Sequence, residues 1–525
     1  MESQNPTTST ESQTIELEAT PATTLLGDLL SNAHNHISLD PARASATAET
    51  STPALPWNEM IRSWANRLVS RKTTLNRVQL KISQDIAKID AMLESQVNEI
   101  LHTKVFQELE SQWRGLKILC DRQADLAREV EADDGVVGSK IRILSVSKRE
   151  LFKDFDKAIE FDQNSLFKKV YEEEFGMSGG TPYGLLLANF EFTNHPDDVD
   201  LLEKMAGVGA ASFCPVITSA SASMLGVENL NKLDQPYDIE KVLQQSKYRK
   251  WLSLRKHPDA QFLGVTLPRV LMRQPYENDG TNQHGFRFRE QVESKDQENY
   301  LWGSASWAFA CVAMRAFMQS GWFADIRGIE RGVDGGGIVS EFPVHSFGTD
   351  HSSAAQKSSV EIAISDRLEN DLSQAGFIPL SDCKDTPYSV FYSNPSVHES
   401  NTYQDPTATM NARISAMLQY VLCCSRVAHF LRIEARNKIG SSQSAREVED
   451  HLNRWITRYV TPDTNAPASL KAEYPLQQAN VLVEELPGKP GEFRVVIHLL
   501  PHYQLDSLSS TMTLTARHVT GPGTN

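Results

Sequence analysis

Apolar positions recur at helical spacing twice in this chain. Between Val78 and Leu119, residues Ile82, Ile86, Ile89, Leu93, Val97 and Ile100 follow steps of four, three, four, four and three. That repeat lines one face of an α-helix. A second stripe, Ile414, Met417, Val421, Cys424, Ala428 and Leu431, advances by threes and fours and ends in Arg436-Asn-Lys438-Ile-Gly440. Cations in a last turn with glycine beyond mark a helix C-terminus. Each stripe predicts a face buried against something, in this chain or in a partner. Between them the period changes. Ile141–Val146, Tyr183–Phe192, Phe213–Thr218, Gln261–Leu267 and Val360–Ser365 are short apolar or alternating runs bounded by Gly, Pro or Asp, and read as strands. Leu301–Gln319 and Arg367–Gly376 read as helices among them.

The C-terminus carries the clearest local signal. Val481-Leu-Val-Glu-Glu-Leu486 leads through Pro487-Gly-Lys-Pro-Gly491 into Phe493-Arg-Val-Val-Ile-His-Leu499. Phe493, Val495, Ile497 and Leu499 alternate with Arg494, Val496 and His498, so one face is apolar and the whole reads as a β-hairpin. A third run, Leu508–Thr515, is Ser/Thr-rich and β-prone. A ribbon of two or three strands is not stable alone and must pair with something.

These elements predict an α+β protein: a mixed α/β body with long N-terminal helices and a C-terminal β-hairpin. The expected divisions are a tail over 1–60, a helical segment over 61–130, the body over 131–405, a second helical segment over 406–475 and the hairpin segment over 476–525. The tail differs in composition. It holds eight acidic residues and one basic residue, Arg43, so −7 of the net charge of −15 lies there. Thr, Ser, Ala and Pro dominate it, too little apolar material to fold alone. Within it Leu25-Leu26-Gly27-Asp28-Leu29-Leu30 is either a stray helical turn or a docking helix anchored by Leu26 and Leu30.

Charge and composition narrow the function classes. Lys+Arg number 52 against 67 Asp+Glu, a balance opposed to gripping phosphate backbones, so no nucleic-acid partner is expected. No segment approaches the roughly 20 apolar residues that span a bilayer; the best candidate, Trp307–Met318, is short and carries Arg315. No membrane insertion is expected. The N-terminus lacks a basic region and an apolar core, and six Cys form neither CxxC pairs nor a disulfide framework. The expectation is a reduced, soluble, cytoplasmic protein.

The search for chemistry finds no constellation. Gly135-Val-Val-Gly138-Ser139-Lys140 has P-loop letters at the wrong spacing. Gly332-Val-Asp-Gly335-Gly336-Gly337 lacks dinucleotide-loop spacing, and Gly303-Ser-Ala-Ser-Trp307 misses a nucleophile elbow by its last glycine. His34 and His36 have no companions at metal spacing, and Cys423 and Cys424 point about 100° apart on a helix. Carboxylate pairs such as Asp366/Glu369 are not distinguished from a solvated surface. No cofactor, metal or catalytic residue is expected.

Several segments do carry a resemblance. They are Leu109-Glu-Ser-Gln-Trp113-Arg114-Gly115-Leu116, Leu166 through Tyr171 to Phe175-Gly176, Pro182-Tyr-Gly184 through Phe192, Leu267-Pro268-Arg269, and Met272-Arg273-Gln-Pro275-Tyr276. Further along come Tyr300-Leu-Trp302-Gly303, Gly321-Trp322, Ile326-Arg-Gly328, Glu361 through Asp366, Gly376-Phe-Ile-Pro379-Leu380, Ser425-Arg426 through His429-Phe430, and Pro501-His-Tyr-Gln-Leu505-Asp506. In order over about residues 75–515, the chain resembles the large sheath subunit of bacterial type VI secretion systems, the TssC/VipB family, also called EvpB or IglB.

The resemblance implies a structural subunit. It would pair with a small sheath subunit (TssB/VipA-like) and stack with other sheath protomers around a tube of Hcp rings. The sheath would stand on a baseplate and be dismantled by a ClpV-type unfoldase. The sheath of a related phage-tail-like particle is the neighbouring alternative, and an enzyme of unrecognised class the distant one. Under this reading Val481, Val483, Phe493, Val495, Ile497 and Leu499 are the strand-exchange residues. Arg446, Glu447, Glu449 and Asp450 lie on the polar face of a helix whose other side holds Leu452, Trp455 and Ile456. They are either charges for the inner tube or a solvated surface.

Overall fold

The computed structural model describes residues 75–502 apart from 131–137, 159, 178, 235–236, 278–285, 287, 293–296, 330–334, 347–356, 385, 439–444, 464 and 486–492. Leu26, Leu30 and the run Leu508–Thr515 lie outside the described residues. The chain divides into two units, Met1–Ile89 and Asp90–Asn525. Of the first, the described part is the start of helix α1 (Leu75–Leu101), with Leu80, Ile86 and Ile89 exposed.

The single helical run expected from Val78 to Leu119 is two helices, α1 and α2 (Lys104–Val130), parted at His102-Thr103. The break is local chemistry. The Thr103 hydroxyl donates back to the Glu99 carbonyl at 2.8 Å, while its own carbonyl accepts the N–H groups of Phe106 and Gln107 at 2.9 Å. Threonine competes in this way with the helical ladder.

The body is built on a six-stranded sheet. Its strands are β1 (Leu186–Phe192), β2 (Val216–Ala220), β3 (Leu263–Leu267), β4 (Ile338–Val339), β5 (Ile378–Asp382) and β6 (Ser389–Phe391). They lie in the order β1-β2-β3-β5-β6-β4. The first four pair in parallel and the last two join antiparallel. β2 and β3 are buried along their whole length, as parallel strands covered on both faces must be. Their hydroxyls are satisfied within the sheet: Thr266 Oγ1 donates to the Thr218 carbonyl, and Thr218 Oγ1 to that of Phe190, both at 2.9 Å.

Helices cover both faces. On one side α3 (Pro196–Ser212) contributes Leu201, Leu202 and Met205 to a core shared with Val265 and Phe377. On the other, α4 (Ser306–Ser320) is buried nearly all round, among Ile217, Ile378 and Leu418. Helix α2 reaches α4 at Gly115, where an added Cβ would stand 2.5 Å from the Trp307 ring. That close approach accounts for a glycine inside a helix. Arg315, the cation in the most apolar segment, is buried with its guanidinium donating to the carbonyls of Ile338 at 2.8 Å and Gly336 at 2.6 Å. Among the described residues no helix is long and apolar enough to cross a membrane.

Two expected strands did not form. Ile141–Val146 has no strand partner among the described residues, and Arg142 instead ties to Glu174 and Tyr183. Val360 makes only an isolated bridge to Val270. Strand β5 shows no strand pattern in the sequence because Pro379, Ser381 and Asp382 interrupt its apolar run, and β4 and β6 are too short, at two and three residues, to show a period. A helix, α5 (Asp366–Gln374), forms where Arg367–Gly376 predicted one, and the second helical stripe spans α6 (Pro406–Ser415), the short break after it and α7 (Leu418–Lys438), with Met417, Val421 and Leu431 buried.

Candidate assembly surfaces

The C-terminal part has a small core of its own. Val427 and Leu431 of α7, Val448, Leu452 and Ile456 of α8 (Ala445–Ile456), and Leu476, Val481 and Val483 of β7 (Leu476–Glu485) pack together with Trp322. Strand β8 (Phe493–Pro501) pairs antiparallel with β7, placing Val481 opposite Ile497, Val483 opposite Val495 and Ala479 opposite Leu499. One face of this ribbon lies on α8, where Ile497 and Leu499 are half-buried beside Val481. Val495 is exposed. Phe493 opens β8 opposite Glu485. Among the described residues the ribbon has two strands and no third.

Its two edges meet different surroundings. On β7 the Leu476 carbonyl accepts from the Thr461 N–H at 2.9 Å. Further along, the Asn453 side chain both accepts from the Val481 N–H and donates to the Val481 carbonyl, each at 2.8 Å. The Val483 N–H donates to Glu449 Oε2 at 2.9 Å. Val481 therefore spends both backbone groups away from β8, which makes Val481/Ile497 a non-hydrogen-bonded pair. Two residues on, Val483/Val495 is another. The backbone groups of Val495, Ile497 and Leu499 accordingly point outward from β8.

Helix α8 separates the four charges grouped by the sequence. Arg446, Glu447 and Asp450 are exposed, whereas Glu449 is half-buried and engaged with the strand edge. Nothing in the sequence marks Glu449 and Asn453 as a pair. Their spacing of four puts them on one helix face, but only the fold brings β7 against it.

A second surface lies on the N-terminal helices. Leu93 and Ile100 of α1 are 41% and 48% exposed, and Val105, Leu109 and Trp113 of α2 are 75%, 53% and 65% exposed. A run of large apolar side chains left to water marks a contact surface. Other residues of the resembling segments are internal ties. Arg269 holds the fully buried Glu361 at 2.9 and 2.7 Å, and Arg273 reaches Glu110 at 2.8 Å.

The adjacent cysteines of α7 are not poised for chemistry. Burial pushes the Cys423 thiol well up and that of Cys424 up to about 11, which leaves neither a thiolate. Among the described residues no group of three His, Cys, Asp or Glu is placed to hold a metal.

Two family models match the chain. The EvpB/VC_A0108 tail sheath N-terminal domain matches residues 83–398, and the EvpB/VC_A0108 tail sheath gpW/gp25-like domain matches residues 407–518. The chain belongs to the EvpB/VC_A0108 tail sheath family. It is 38% identical over 461 residues to the type VI secretion system sheath protein TssC1 of Pseudomonas aeruginosa, covering 87% of this chain and 90% of that one. Weaker likenesses reach a chain of the anti-feeding prophage baseplate (TM-score 0.37, 9% identity, 72% of this chain and 83% of that one) and its contracted helical sheath (TM-score 0.26, 11% identity, 60% and 66%). As a member of the EvpB/VC_A0108 family, the chain is a structural subunit of a contractile sheath and not an enzyme.

Proposed function

We propose that this chain is the large subunit of a type VI secretion sheath that works in the cytoplasm of a Gram-negative cell. It pairs with a TssB/VipA-like small subunit, and the pairs stack with other sheath protomers into a helical tubule around the Hcp tube. The tubule stands on the baseplate, contracts to propel the tube, and is taken apart by a ClpV-type unfoldase. In this scheme the tail over 1–60, with Leu26 and Leu30, supplies a docking helix. Arg446, Glu447 and Asp450 present charge toward the tube, with Glu449 beside them on the strand edge.

One observation carries the reading: a two-stranded ribbon whose β8 backbone at Val495, Ile497 and Leu499 points outward from a half-buried apolar face. Such an edge accepts a strand from a neighbouring chain, and its main-chain hydrogen bonds give the link strength. The test is coexpression with candidate small subunits, followed by negative-stain microscopy for tubules. Val495→Pro removes an N–H that the hairpin itself does not use, so the subunit stays folded and heterodimers survive while tubules are lost. Ile497→Asp sets a charge on the half-buried face and gives the same result. Normal tubules from the Val495→Pro protein refute strand exchange at this edge.

A further inference from the structure

An unpaired strand edge recruits whatever strand meets it, so a subunit with two open edges would assemble in two ways. On this hairpin the edge of β7 is covered at Val481 and Val483. We propose that Asn453 and Glu449 of α8 act as a stand-in strand that closes the edge of β7 within the chain, so that an incoming strand from another sheath subunit is confined to the outer edge of β8. The proposal rests on the strand-exchange reading above and adds which edge is used and what enforces the choice.

The edge of β7 is closed at three positions, Leu476, Val481 and Val483. The Thr461 N–H takes the Leu476 carbonyl, the Asn453 amide takes both backbone groups of Val481, and the Glu449 carboxylate takes the Val483 N–H. A carboxamide presents one donor and one acceptor side by side, as a peptide group does, so Asn453 reproduces what a neighbouring strand would offer Val481. Glu449 does more than satisfy a donor: its carboxylate stands where an incoming carbonyl would have to sit. Both side chains rise from a helix anchored by the buried Val448, Leu452 and Ile456, which holds them in place.

On β8 no described residue hydrogen-bonds the outward backbone of Val495, Ile497 or Leu499. Pro501 ends the strand, which limits the landing edge to the residues before it. The occupant that fits is an extended segment with apolar residues on the side that Ile497 and Leu499 share with α8, and polar residues on the other.

Site-resolved hydrogen exchange on the heterodimer and on the assembled sheath tests this. In the unassembled protein the amides of Val481 and Val483 are already slow, and those of Val495, Ile497 and Leu499 are fast. On assembly the β8 amides slow by at least about tenfold while the β7 pair does not change, since only the β8 amides gain protecting hydrogen bonds. In the Asn453→Ala, Glu449→Ala heterodimer, Val481 and Val483 exchange about tenfold faster, and Glu449→Gln, which keeps an acceptor, restores Val483. New protection at Val481 and Val483 on assembly overturns the edge assignment and leaves strand exchange standing. No change in any of the five overturns strand exchange itself. Slow β8 amides before assembly place the chain's own Leu508–Thr515 on that edge and overturn the proposal.

Discussion

Two helical stripes of the same spacing meet opposite environments in this molecule. On α7 the stripe residues Val421 and Leu431 are buried, alongside Leu418 and Leu422, against the central sheet and the C-terminal core. On α1 the stripe residues Leu93 and Ile100 stand in water, and α2 continues the exposure through Val105, Leu109 and Trp113. Periodicity states that a face is apolar. It does not state whether the covering surface is in the same chain. Here both answers occur: one stripe builds the subunit, and the other stays open to solvent, where we propose that a partner covers it.

The largest expected effect comes from breaking the buried stripe. Leu431→Ala leaves a cavity among Val427, Leu452 and Ile456, and such truncations lower stability by about 2–5 kcal/mol. Thermal unfolding of the heterodimer should show a clear drop in Tm. A melting curve that overlays that of the parent would mean this core is not shared across α7, α8 and the hairpin.

The next effect is a pH dependence located on the same helix. His429 is buried, with Nε2 3.0 Å from the Ser212 carbonyl. Burial, helped by the nearby Arg426 and Arg432, pushes its pKa down to about 4 from an ordinary 6.5. The folded protein keeps the ring neutral while the unfolded chain takes a proton below 6.5. Stability is therefore intact above about pH 6.5 and falls as pH drops toward 4. Between pH 7 and pH 5 the loss is about 2 kcal/mol, at roughly 1.4 kcal/mol per pH unit. Carboxylates titrate in the same range, so the quantity to measure is the difference from His429→Gln. Parallel stability profiles for the two proteins would rule out His429 as the source.

Much of the architecture was legible because it is written in local patterns. Alternation at Phe493, Val495, Ile497 and Leu499 with a Pro/Gly connection specified the hairpin, and the runs around Val216 and Leu263 specified the inner strands. What was not legible depends on tertiary placement. β5 carries Pro379 and reads as a loop until β3 is set beside it. Glu449 reads as one more surface carboxylate until β7 crosses its helix. Thr103 gives no periodic signal of the break it makes. The family could be named from rare Trp, Gly and Pro positions, yet their roles differ: Gly115 makes room for Trp307, while Trp113, two residues earlier, projects into water.

The smallest effect on stability should come from the exposed stripe, and that contrast is its test. Truncating exposed apolar side chains removes little buried area, so Leu109→Ala with Trp113→Ala should change the stability of the subunit by only about 0.5 kcal/mol. Assembly should respond differently. If these side chains are covered in the sheath, each contributes transfer energy of about 1.5–3 kcal/mol on burial, and losing two of them weakens every repeat of the contact. The parent chain expressed alone should aggregate through this surface and be rescued by its small partner. The double variant should aggregate less when alone and form fewer or shorter tubules when paired. Sedimentation of the subunit expressed alone, alongside microscopy of the paired protein, separates the cases. Unchanged aggregation together with tubules of normal number and length would show that the exposed stripe is an ordinary surface, and the comparison between the two stripes would then concern folding alone.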